Sequence, residues 1–103
     1  MNNFVREVTP EEVLTKLMEK AAIQIIDVRE PEEWVAGHIE EAILIPLNDV
    51  PASLDRFDTS KEIIMVCRSG ARSYHACEFL KHNGIEAVNM EGGMLAWPGE
   101  IAR

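Results

Sequence analysis

The chain has 103 residues, 47% of them hydrophobic and 27% charged, which is the length and apolar content of one ordinary domain with one core. A formal charge of -8 repels phosphodiester backbones and anionic lipid, whose binding rests on clustered Lys and Arg, so neither nucleic acid nor a membrane is expected as a partner. No run of about 18 apolar residues occurs, and Met1 to Glu7 lack a basic stretch leading into an apolar one; the expectation is a cytoplasmic protein with a single domain over 1–103.

In chain order, Thr9-Pro10-Glu11-Glu12 predicts a helix start, because Thr9 can cap, Pro10 suits the first helical position and Glu12 sits where a capping box needs a carboxylate. Val13, Leu14, Leu17 and Met18 then share one apolar face. Ile23 to Val28 is short, β-branched and almost continuously apolar, as in a strand covered on both faces. A short helix is expected from Pro31 through Val35, broken by Gly37. Ala42 to Ile45 is the next strand, closed by Pro46. A polar, turn-rich connection with Asn48, Asp49, Pro51 and Asp55 leads to a second buried strand, Ile63 to Val66. The helix beyond Arg72 presents Ala76, Cys77, Phe79 and Leu80 inward and stops at Asn83-Gly84, ahead of a last strand around Ala87 to Asn89. Strands alternating with helices predict an α/β fold, a parallel sheet covered by helices on two sides. In such sheets ligands gather beyond the carboxyl ends of the strands, which singles out the loops after Val28 and after Val66.

The second of these loops carries the chemistry. Cys67-Arg68-Ser69-Gly70-Ala71-Arg72-Ser73 follows a buried strand and opens a helix, so its N–H groups can curl around a point that attracts negative charge. A thiolate there is stabilised by the helix dipole, by unpaired amides and by the charges of Arg68 and Arg72, which makes Cys67 a candidate nucleophile. Gly70 suits so sharp a turn. The competing reading of Cys67 is an inert buried thiol, and of Arg72 a solvated arginine, although a cation at a helix start opposes the dipole. The two cysteines are not spaced as a redox pair and, with three scattered histidines, match no zinc pattern, so no metal or cofactor is expected.

Cys67-x-x-Gly70-x-Arg72 resembles the active-site loop of the rhodanese family. Asp27-Val28-Arg29-Glu30 with Glu33-Trp34 and Gly37-His38-Ile39 is similar to that family's first signature, and Gly92-Gly93-Met94 with Ala96-Trp97 to its closing one. The resemblance implies a three-layer α/β/α rhodanese fold around a central five-stranded parallel sheet, and a sulfur transfer in two half-steps through a Cys67 persulfide. It implies a small anionic donor such as thiosulfate and a thiol or cyanide as acceptor, with a sulfur-relay protein as a further partner able to reach an open Cys67. The amides of Arg68, Ser69, Gly70, Ala71 and Arg72 would bind the persulfide and donor, while Asp27 and Arg29 would brace the loop through charged hydrogen bonds. Phosphatases and arsenate reductases of the same broad fold are the nearest alternative, but they place one more residue between cysteine and arginine, enclosing a larger space. A binding or regulatory module with a decayed loop is a third reading, opposed by the intact cysteine, glycine and arginine.

The sequence departs from the family pattern at Glu41, where a glycine is usual, and at Trp97-Pro98-Gly99, which shortens the usual closing spacing. Cys77 is read as a small core hydrophobe rather than a resolving thiol, and His38 as a turn-fixing hydrogen-bond partner. The run Glu30, Glu32, Glu33 is read as a solvated helix start.

Overall fold

The apolar runs of the sequence become the centre of a parallel sheet in the computed structural model, which describes residues 4–103. The elements are β1 (Glu7–Val8), α1 (Pro10–Met18), β2 (Ile23–Asp27), α2 (Pro31–Val35), β3 (Ile43–Leu44), a 3-10 segment Leu47–Arg56, β4 (Glu62–Val66), α3 (Ala71–His82), β5 (Val88–Met90) and a 3-10 turn Gly93–Ala96. All five strands are parallel, in the order β1-β5-β4-β2-β3. β2 and β4 pair along their full length, with Ile26 opposite Met65 and Asp27 opposite Val66.

Strand alternation sends side chains to two separate cores. Ile63, Met65 and Cys67 point to one face and pack with Ile26, Val28 and the α3 residues Ala76, Cys77 and Leu80. Ile64 and Val66 point to the other and pack with Ile25, Val88, the α1 residue Val13 and the α2 residue Trp34. The result is the expected three-layer arrangement, with α1 and α2 on one side of the sheet and α3 on the other. No helix among the described residues is long and apolar enough to cross a membrane.

α1 starts as its residues require: the Glu12 amide donates to Thr9 Oγ1 at 3.0 Å and the Thr9 amide to Glu12 Oε1 at 2.8 Å, a reciprocal capping box. The connection expected to be turn-rich is instead a 3-10 helical segment over Leu47–Arg56, interrupted at Ser53. Val50 is buried there and Leu47 and Leu54 pack onto the core beside it, an apolar spacing that the density of turn formers conceals. The strand expected at Ala42 to Ile45 narrows to Ile43–Leu44, because β3 is an edge strand paired only to β2. The fifth strand, β1, has no apolar run of its own and exists through pairing of Glu7 with Asn89 and Val8 with Met90.

Candidate active site

Cys67 is the first residue beyond β4, and its loop runs four residues to the start of α3 at Ala71. Gly70 caps that helix with φ +102°, a conformation that costs a side-chain-bearing residue about 1–2 kcal/mol. The loop is pressed into shape from outside by the Gly93–Ala96 turn. The Met94 amide donates to the Cys67 carbonyl at 2.9 Å and the Leu95 amide to the Arg68 carbonyl at 3.0 Å. With the carbonyls held outward, the amides are left facing in. Gly93 is what permits this contact: a Cβ on it would lie 2.4 Å from the Arg68 oxygen and 2.5 Å from the Cys67 oxygen, both backbone atoms.

The amides converge on sulfur. Cys67 Sγ accepts from the Gly70 amide at 3.1 Å and from Ser73 Oγ at 3.2 Å. Burial of the thiol works against ionisation, but the Ser73 hydroxyl and the amides of Ser73, Gly70 and Ser69 outweigh it, and the pKa of Cys67 is lowered.

Ser73 belongs to a buried chain of polar groups. Its single hydroxyl hydrogen has two acceptors in reach, Cys67 Sγ and Asn89 Oδ1. Asn89 cannot reverse its amide, since Nδ2 donates to the Gly70 carbonyl at 3.0 Å and to Glu7 Oε2 at 2.8 Å. The Ser73 hydrogen can therefore rest on Asn89 when sulfur is protonated and turn to sulfur when it is not.

Cys67 is 0% exposed, which corrects the expectation of an open, reachable cysteine: the loop and Ser73 wrap the sulfur, leaving Arg68, Ser69 and Ala71 as the exposed rim. Arg68 has no side-chain hydrogen bond or ion pair among the described residues. Arg72 is not a free cation, because its two terminal nitrogens bond Glu33 Oε1 at 2.8 Å and Oε2 at 2.9 Å. The Glu33 carboxyl is held down to about 2, mainly by these bonds against some burial. Glu33 is thus a half-buried partner of the loop, not the solvated residue its acidic neighbours suggested.

Asp27 and Arg29 are both buried and bond each other, Nη2 to Oδ2 at 2.8 Å and Nε to Oδ1 at 3.0 Å. Arg29 also donates to the Gly37 carbonyl at 2.9 Å. Their hydrogen bonds fasten the α2–Gly37 turn, and α2 in turn carries Glu33 to Arg72. His38 fixes the same turn through a ring nitrogen 2.8 Å from the Trp34 carbonyl. Cys77 is buried and free, and burial pushes its thiol up to about 12, consistent with a core hydrophobe.

Sequence reasoning missed Ser73, Asn89, Glu33 and the contact made by Gly93. One signal was available for Ser73: it lies in the first turn of α3, where side chains lean back toward the helix N-terminus and so toward the sulfur. The partners on β5 and α2 are brought in by the sheet and carry no local mark.

A family model described as rhodanese-like domain matches residues 9–100. The chain is 38% identical over 96 residues to a putative sulfurtransferase, YtwF, of Bacillus subtilis, covering 93% of each chain. It is 33% identical over 95 residues to a sulfurtransferase of Allochromatium vinosum, covering 91% of this chain and 89% of that one. The crystal structure of a rhodanese-like domain protein from Staphylococcus aureus superposes with a TM-score of 0.86 at 43% identity, covering 93% of each chain.

Proposed function

The chain belongs to the rhodanese-like domain family, and from that membership we propose that it is a sulfurtransferase in which Cys67 carries a sulfane sulfur as a persulfide. The observation that carries the reading is the set of N–H and O–H donors aimed at Cys67 Sγ. They favour the thiolate, which is the attacking species.

In the first half-reaction the Cys67 thiolate attacks the outer sulfur of a donor. With thiosulfate the donor's S–S bond breaks, sulfite leaves with the electron pair, and Cys67 holds a persulfide bearing one negative charge. In the second, an acceptor thiolate or cyanide attacks the terminal sulfur and the Cys67 thiolate returns. Charge balances in each step and no outside oxidant or reductant is required. The amides from Arg68 through Arg72 bind the added sulfur, extending the contact that the Gly70 amide makes with Sγ. Because Sγ lies beneath the exposed Arg68–Ser69 rim, the donor enters through that rim. An acceptor on another protein would meet the same face, which is how the domain would serve as a relay.

Steady-state transfer from thiosulfate to cyanide should give parallel double-reciprocal lines, the signature of a covalent intermediate, and Cys67→Ser should abolish it. Intersecting lines, or a Cys67→Ser variant that still turns over, would refute the proposal. Hydrolysis of an aryl phosphate by a sample inactive in sulfur transfer would support the phosphatase alternative.

A further inference from the structure

The mouth of the loop is less positive than its two arginines suggest. Arg72 is neutralised by a bidentate Glu33 carboxylate, and these side chains are 36% and 26% exposed, so a donor must compete with an ion pair that is already well formed. Glu30 is exposed, and its carboxylate is near enough to act on the Arg72 guanidinium. Only Arg68 remains as a rim cation without a side-chain partner among the described residues. Beside it stands an apolar group: Leu95, whose amide is bonded to the Arg68 carbonyl, is 66% exposed. A dianion meets little net attraction here, whereas a singly charged donor with an organic group meets one free cation and one apolar contact.

We propose that Glu33 is a specificity-determining residue: by occupying Arg72 it turns the site away from dianionic donors and toward monoanionic sulfane-sulfur donors bearing an organic group, such as thiol persulfides and thiosulfonates. This rests on the sulfurtransferase reading. For a thiosulfonate, the Cys67 thiolate attacks the terminal sulfur, the S–S bond breaks, and the sulfinate departs with the electron pair and one negative charge. The persulfide left on Cys67 carries the other charge. Glu33 acts through Arg72 and touches neither the donor nor Sγ.

Thiosulfate and methanethiosulfonate form a matched pair of probes, because one oxygen of the dianion is replaced by a methyl group in the monoanion. The quantity to measure is the ratio of their kcat/KM values, thiosulfate over methanethiosulfonate, in the wild type and in Glu33→Gln, which keeps an oxygen able to accept from the Glu30 amide. Releasing Arg72 should raise that ratio about tenfold, the effect of one charge felt more strongly by a dianion across a partly solvated gap. Loading of the wild type by thiosulfate should be flat or accelerate as salt is added, since screening then removes no attraction. An unchanged or lower ratio in the variant overturns the proposal. So does wild-type loading that slows steeply with salt, a measurement that stands even if the variant does not fold. If both probes load Cys67 and the ratio ignores Glu33, only this inference fails. If neither probe loads Cys67, the sulfurtransferase reading fails with it.

Discussion

Cys67 owes its chemistry to one hydroxyl as much as to the helix start. Ser73 is the one side chain among the described residues that is bonded to Sγ, and its hydrogen is contested by Asn89. Removing it takes a hydrogen bond from the thiolate, the form that the fold favours, so the thiol pKa rises and the reactive fraction at neutral pH falls. Ser73→Ala should therefore move the midpoint of Cys67 alkylation to higher pH. It should also slow alkylation at neutral pH about fivefold, less than the full loss of a charge-assisted bond because a more basic thiolate is a better nucleophile. An unmoved midpoint would assign the lowered pKa to the backbone amides alone. Ser73 stands in the same short window as Cys67, yet its role rests on Asn89, sixteen positions away. A reading by local pattern therefore finds the candidate nucleophile and not the hydroxyl bonded to it.

At the scale of elements, the site is a loop clamped between a strand end and a two-glycine turn. Gly93 has φ +59° and its missing Cβ makes room for two backbone oxygens, so neither can yield without dismantling the loop. Gly93→Ala should cost about 3 kcal/mol or more in urea unfolding, combining left-handed strain with a backbone clash. Gly84→Ala is the control: φ is +78° there but nothing lies within 4 Å of the added carbon, so the cost should be that of strain alone, about 1–2 kcal/mol. Equal losses at the two positions would mean that the clamp does not govern the loop. The elements that sequence patterning located are those whose signal is local: the capping box of α1, and the apolar runs of β2 and β4. Those it misjudged take their shape from neighbours. β1 is two residues long and held by its pairing with β5. The 3-10 segment after Pro46 hides a buried Val50 among Asn, Asp and Pro. Glu33 and Arg72 lie 39 positions apart and meet only because β2 and β4 are adjacent.

Over the whole molecule, two apolar layers sandwich a sheet whose carboxyl edge gathers the loops after β2 and β4, as expected for this class of fold. That edge places the Asp27–Arg29 pair, the α2 helix and the Cys67 loop in one connected unit, within a chain of formal charge -8. Its product is a single thiol at the end of an apolar layer whose sulfur is met by the Gly70 amide and the Ser73 hydroxyl. Under the proposed function, the surrounding protein has one task, to accept a sulfur on that thiol and hold it until an acceptor arrives. Mass spectrometry of the intact protein and its peptides after donor treatment and removal of excess donor tests this most directly. The account predicts one added sulfur atom, located on the peptide containing Cys67 and absent from Cys67→Ser. A protein that gains no sulfur, or that gains it equally in Cys67→Ser, would contradict it.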